Sequence, residues 1–317
     1  MTLPVVDVAT ADPPGLFAAM QRHGAILVTH PLLAAARCTT TLRDVARFFA
    51  FSDAAKQALA IESSPHFRGY SRMHNERDHR EQIHFGRERA VAAAPEEPFW
   101  QLQGPNLWPD DPAWCQRMVA WLHDVTAVGE HVVSLVAAAL GCEPRAWLGG
   151  DPYVLMKCIG YHAQPSTAAR VRGVAAHLDF SLVTLTLQDD VGGLEVRDRD
   201  DRWIAVPPTN GALLVNIGEV LQYVTGNRLV ATPHRVVNPS CERTRCSVPV
   251  FVNPSLDTTL RRELPAIPIA PASLPSRVEH VHAVLDPQAP PAALHFGRAE
   301  WARKGRGVWC RHCVVAG

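Results

Sequence analysis

The residues with the most chemical potential are His177-Leu178-Asp179 and, far downstream, His234 within Thr232-Pro233-His234-Arg235-Val236. Two imidazoles and one carboxylate in this H-x-D…H order are the donor set of a 2-His-1-carboxylate facial triad. Such a triad leaves half of an octahedral iron(II) sphere open to a cosubstrate and O2. His177 and Asp179 stand two apart at the head of an alternating run, Phe180-Ser181-Leu182-Val183-Thr184-Leu185-Thr186-Leu187. Positions i and i+2 of a strand share a face, so both ligands are expected to aim from a strand into one cavity. An H-x-D pair by itself also occurs as an ordinary surface pair, so the reading needs a second feature. Arg245-Cys246-Ser247, at the start of the strand-like run Cys246-Ser247-Val248-Pro249-Val250-Phe251-Val252, supplies it. An arginine and a hydroxyl sharing one inward face leave an expensive unpaired charge unless an anion meets them. The planar guanidinium fork suits a carboxylate. Together the two features describe a site for a keto acid, chelated at one end and held by its far carboxylate at the other.

The elements that must position these groups follow from local pattern. Residues 151–255 are dense in short strands separated by turns at Asp190 to Gly193, Asp198 to Arg202 and Pro207 to Gly211, the pattern of a double-sheet jelly roll. Residues 1–150 read as helix-rich. Leu42 to Phe49 and Trp114 to Leu140 carry apolar residues at helical spacing; Asp110-Asp111-Pro112 is a start signal for the second helix and Gly141 a stop. Residues 256–317 are expected to form a tail, proline-rich from Pro265 to Pro291, with a last helix around Ala292 to Arg303. A jelly roll this small needs helices over its outer face, so the chain reads as one α+β domain with flanking helices at both ends.

From Tyr153 to Asn253 the chain resembles the iron(II)/2-oxoglutarate-dependent dioxygenases of the isopenicillin N synthase-like group. The stretches that carry the resemblance are Ala176 to Phe180, Leu187-Gln188-Asp189-Asp190 through Val196, Trp203 to Pro208, Gly211 to Gln222, Thr232 to Pro239 and Arg245-Cys246-Ser247. Pro4 to Val8 and His23 to Val28 are similar to the group's opening strands, and Phe67-Arg68-Gly69-Tyr70 to its loop toward the active site. The resemblance implies a double-stranded β-helix core. It implies iron held by His177, Asp179 and His234, and 2-oxoglutarate held at its distal carboxylate by Arg245, Ser247 and Tyr161. O2 then serves as co-oxidant, and a small-molecule metabolite is hydroxylated, desaturated or cyclised with release of succinate and CO2. Two departures stand out: Ile159 replaces the group's usual asparagine before the tyrosine, and His162 replaces its proline. For the substrate, the resemblance implies Arg68 as partner of a carboxylate, Phe180, Phe251 and Tyr70 as an apolar wall, and Gln82, His84 and Asn253 as orienting groups.

Two other functions fit the same residues. An iron oxidase like isopenicillin N synthase itself would use Arg245 and Ser247 for the substrate's own carboxylate and need no 2-oxoglutarate. A non-catalytic metal-binding jelly roll has no use for the open positions that this triad leaves. Cys310-Arg311-His312-Cys313 resembles half of a zinc site, but no second ligand pair stands at suitable spacing, so it reads as tail.

Composition excludes other classes. Lys+Arg and Asp+Glu both number 31 in 317 residues, so no net field attracts nucleic acid or an anionic membrane. The eight cysteines are scattered rather than framework-spaced, no apolar run reaches membrane-spanning length, and Met1-Thr2-Leu3-Pro4 is not a signal-peptide start. A cytoplasmic protein without an obligate protein partner is expected.

Overall fold

Two β-sheets of unequal size face one another across a cavity in this computed structural model, which describes residues 2–75, 78–91, 96–163, 172–237, 242–262, 264–265, 285 and 291–307. Cys310, Cys313, most of the proline-rich stretch, Arg77, Asn238, Pro239 and Cys241 lie outside the described residues. Along the chain come β1 (Val5–Asp7), α1 (Pro13–His23), β2 (Ala25–Thr29), α2 (Ala35–Phe49), α3 (Asp53–Gln57), β3 (Gly69–His74), β4 (His79–Gly86), α4 (Pro112–Ala139) and α5 (Pro144–Leu148). The strand-rich part follows as β5 (Pro152–Tyr161), β6 (Arg172–His177), β7 (Val183–Gln188), β8 (Leu194–Arg197), β9 (Trp203–Ala205) and β10 (Leu213–Ile217). It closes with α6 (Glu219–Val224), β11 (His234–Val237), β12 (Arg245–Ser255), β13 (Thr259–Arg261), β14 (Ala293–His295) and α7 (Phe296–Gly307).

The larger sheet runs β1-β2-β10-β7-β12-β5-β4-β3, and the smaller runs β6-β11-β8-β9. The first 150 residues thus contribute four strands to the large sheet rather than helices alone. The fold is the expected α+β jelly roll. Its two apolar clusters have different jobs. One packs α1, α2 and α4 onto the back of the large sheet through side chains such as Phe48, Trp114, Trp121 and Val132. The other, with Leu27, Ile159, Leu214, Val174, Val196 and Val236, joins the two sheets, and Ile159, Val174 and Val236 form part of the cavity wall.

Local signals account for the helix limits. The Asp111 side chain accepts the Trp114 N–H at 3.0 Å, with Pro112 at the first helical position, and this starts α4 as its sequence suggests. Gly141, at φ +68°, carries the chain out of the helix. The last helix begins at Phe296 rather than near Ala292, because Ala293, Leu294 and His295 pair with β13 as a strand. Gly226 and Asn227 both hold positive φ, so the Thr225-Gly226-Asn227 turn does supply the residues its geometry needs.

Candidate metal centre

The site is built where β6 and β11 pair. His234 stands directly opposite His177 in their antiparallel register, which brings the two rings to 4.2 Å between centroids. Asp179 is not on the strand with His177. β6 ends at His177, and Asp179 lies two residues further, in the connection to β7. Its backbone is held there by the Glu219 N–H, which donates to the Asp179 carbonyl at 2.9 Å. Gly218 lets α6 approach this closely, since a Cβ at that position would sit 2.1 Å from the Ser181 carbonyl oxygen.

The protonation state suits a metal. The Nδ1 atoms of His177 and His234 lie 3.0 and 3.1 Å from the carbonyls of Ala175 and Thr232. A carbonyl only accepts, so each Nδ1 carries a proton and each Nε2 is left to face the metal position. Those Nε2 atoms lie 3.6 and 3.5 Å from the Asp179 carboxylate oxygens. Burial, reinforced by the neighbouring His234, pushes the His177 imidazole down to about 3, so it stays neutral. Burial alone would raise the Asp179 carboxyl, but the two imidazoles and the Thr184 hydroxyl outweigh it and hold the group ionised. Asp179 Oδ2 is buried without a hydrogen-bond partner. Two imidazoles and one ionised carboxylate with an orphaned oxygen are a donor set that fits iron(II) and leaves coordination positions open.

A second orphan lies in the same cavity. Arg245 is fully buried at the start of β12; its Nε donates to the Gly192 carbonyl and its Nη2 to Gln188 Oε1 at 3.1 Å. Nη1 is buried with no partner, and no carboxylate lies within ion-pair distance among the described residues. The Tyr161 ring lies under the guanidinium, 4.9 Å from its carbon, and Ser247 lines the cavity two residues along the same strand face. Gly192, at φ +80°, shapes the turn that offers its carbonyl. A buried, unmet guanidinium beside a hydroxyl and a phenol is a carboxylate receptor.

The cavity encloses about 600 Å³ and brings together His177, Asp179, His234, Arg245, Ser247, Tyr161, Phe180, Phe251 and Asn253. Four other expected residues do not line it. Arg68 is the clearest correction: it is buried away from the cavity, donating to the carbonyls of His66 and Leu102 at 3.1 and 3.0 Å. It ties the loop before β3 to the turn at Pro98–Leu102, packed over Gly86 and the Tyr153 ring at the end of the sheet and outside the cavity wall. Tyr70 packs against Phe48 on the helical side. Gln82 and His84 share the cavity side of β4 with Ile159 and Lys157 of β5, but both are buried beside the void and form none of its wall. The departure Ile159 lines the cavity, whereas His162 turns away to Glu81, its Nε2 2.8 Å from Oε1.

Sequence reasoning missed several wall residues. Lys157, Arg80 and Asp78 come from β5 and the start of β4, and Glu300 and Arg303 from α7. Alternation along β5 from Tyr161 pointed to Lys157; nothing local announced that the last helix would cover the cavity.

Comparison with known proteins gives the following. The pattern of the 2OG-Fe(II) oxygenase superfamily matches residues 150–254, and that of the non-haem dioxygenase in morphine synthesis N-terminal region matches residues 3–111. The chain is 31% identical over 239 residues to homoarginine-6-hydroxylase of Glycine max, a match covering 69% of this chain and 70% of that enzyme. It is 28% identical over 224 residues to the 2-oxoglutarate-dependent dioxygenase frbJ of Dothideomycetidae sp., covering 67% of this chain and 61% of that protein. Against the sexual differentiation process protein isp7 of Schizosaccharomyces pombe the match covers 44% of the relative's length. Among solved structures, a putative 2OG-Fe(II) oxygenase family protein of Caulobacter crescentus superposes with a TM-score of 0.73 at 25% identity, covering 96% of this chain and 99% of that one. A full-length Neurospora crassa protein crystallised with alpha-KG gives 0.74 at 21% identity, covering 96% and 95%, a likeness of fold. None of these favours an oxidase without 2-oxoglutarate or a binding protein without catalysis.

Proposed function

Because the chain belongs to the iron(II)/2-oxoglutarate-dependent oxygenases of the isopenicillin N synthase-like superfamily, we propose that it couples decarboxylation of 2-oxoglutarate to the hydroxylation, desaturation or cyclisation of a small-molecule metabolite, releasing succinate and CO2. The observation that carries this reading is the orphaned guanidinium of Arg245 in the same cavity as the orphaned carboxylate of Asp179. His177, Asp179 and His234 would hold iron(II), which supplies when bound the redox chemistry that joins the cosubstrate to O2. Arg245, Ser247 and Tyr161 would hold the far carboxylate of 2-oxoglutarate, with Gln188 keeping the guanidinium in register by accepting from its Nη2. The His177 and His234 backbone contacts fix both rings before metal arrives, so little ordering remains to be done on binding. Phe180, Phe251 and Asn253 face the rest of the cavity and are assigned to the substrate.

Among the described residues no helix is long and apolar enough to cross a membrane. The five cysteines among the described residues are free thiols, which supports the cytoplasm as the place of work.

Protein loaded anaerobically with iron(II) should develop a metal-to-ligand charge-transfer band on addition of 2-oxoglutarate, and aeration should then yield succinate slowly even without substrate. A protein that binds iron(II) but gives neither band nor succinate would refute the reading.

A further inference from the structure

The chain has three lysines, and two of them are matched to carboxylates. Lys56 Nζ lies 2.8 Å from Glu81, and Lys304 Nζ lies 3.4 Å from Glu300. Lys157 has no carboxylate partner among the described residues. It sits in the middle of β5 and faces the cavity, its ammonium 5.0 Å from the centre of the Phe251 ring. Burial and the nearby Arg80, Lys304 and Arg303 press its amine down to about 7, outweighing the opposing pull of Asp179. Arg80, on the same face of the adjacent β4, is poorly matched as well. Its Nη2 is 3.7 Å from Asp78 Oδ1 and 3.6 Å from Met73 Sδ, and its Nε is buried without a partner. Arg303, by contrast, is clasped by Glu300 through two contacts of 2.7 Å. Setting aside the triad and Arg245, the charged wall residues are Arg80, Lys157 and Arg303 against Asp78 and Glu300, so the wall carries one positive charge in excess.

The position of this excess matters. Lys157 precedes Tyr161 by four residues, so at about 3.3 Å per residue it stands roughly 13 Å along β5 from the ring that underlies Arg245. The floor of one cavity therefore has a cation at each end. Arg245 marks the cosubstrate end, and Lys157 lies too far along the floor to serve the same carboxylate.

We propose that Lys157 receives an anionic group of the substrate, so that the enzyme acts on a small organic acid; this rests on the oxygenase reading above. The apolar faces of Phe251 and Phe180 then take the acid's hydrocarbon body, and Asn253 offers a polar contact at the rim. Arg68, to which the sequence assigned this role, is engaged by the carbonyls of His66 and Leu102 and lines none of the cavity. The interaction is a charge-assisted hydrogen bond in a shielded site, so an acid should be preferred to its neutral ester by about tenfold or more.

The test uses full-length protein loaded anaerobically with iron(II) and 2-oxoglutarate, so that Arg245 is already engaged. Benzoate, phenylacetate and 3-phenylpropionate are titrated calorimetrically alongside their methyl esters. In parallel, acetic anhydride at neutral pH is used to acetylate the lysines, read by peptide mass spectrometry. At least one acid should bind the wild type about tenfold or more tightly than its ester. Lys157→Met should erase that preference and Lys157→Arg retain it, with the 2-oxoglutarate charge-transfer titration the same in all three. Lys157 should acetylate faster than Lys56 and Lys304, and the acids should protect it where the esters do not. Equal binding of acids and esters, a preference that survives Lys157→Met, or acetylation that no acid slows would each overturn the assignment. Absence of the charge-transfer band in the wild type would instead remove the oxygenase reading, and this inference with it.

Discussion

Replacing Arg245 with alanine tests the cosubstrate pocket most directly. The side chain is fully buried, Nε and Nη2 are engaged by Gly192 and Gln188, and Nη1 is free to meet a ligand. Truncation leaves a bound carboxylate with only the Ser247 and Tyr161 hydroxyls. Loss of a desolvated charged contact costs about 2–5 kcal/mol. At about 1.4 kcal/mol per decade, 2-oxoglutarate should bind at least about thirtyfold more weakly. Arg245→Lys keeps the charge but loses the planar fork, and should fall between the two. The free protein should also lose on the order of 3 kcal/mol, because the hydrogen bonds to Gly192 and Gln188 go with the side chain, as for Arg68. The assay is the anaerobic titration of 2-oxoglutarate into the iron(II)-loaded protein, followed by its charge-transfer absorption, with a thermal melt of the metal-free protein as control. An Arg245→Ala affinity within about threefold of wild type, well inside the expected loss, would refute the argument and reassign the pocket to the substrate's own carboxylate.

Asp179→Ala should abolish both iron(II) retention in equilibrium dialysis and succinate formation, while the melt stays cooperative; near-normal turnover with added iron would unseat the triad. Ser247→Ala should weaken 2-oxoglutarate by only about 0.5–1.5 kcal/mol, the value of one neutral hydrogen bond, in the same titration. Arg68→Ala should destabilise the fold by on the order of 3 kcal/mol through loss of two buried charged hydrogen bonds, measured in urea, without changing the acid-over-ester preference. For Glu81, burial opposes ionisation but hydrogen bonds from His162 and Lys56 prevail and bring it down to about 2 from 4.5. A depressed carboxyl contributes stability that is present above its unfolded value and lost as pH falls toward the folded one. The melting temperature of wild type should therefore drop between pH 4.5 and about 2, and Glu81→Gln should flatten that drop; parallel curves would contradict it.

The His177, Asp179 and His234 cluster and the Arg245–Ser247 pair were legible in the sequence as candidates because each sits within a short, locally ordered stretch. Strand alternation alone aligned Arg245 with Ser247, and turn residues at Gly192 and Gly226 announced their own geometry. The same alternation misled at Asp179, where the strand ends one ligand early and α6, forty residues on, holds the Asp179 backbone carbonyl. The N-terminal substrate residues were misplaced for a related reason. Where an arginine such as Arg68 is held depends on which backbone carbonyls reach it in space, and here those of His66 and Leu102 fix it over Gly86, beyond the cavity wall. Only the tertiary structure could seat α7 over the cavity and leave Lys157 as the lysine without a carboxylate, because a charge balance is a sum over groups that meet in space. Spacing along the chain decides which side chains share a strand face; the packing of sheets and helices decides which of those faces encloses a site.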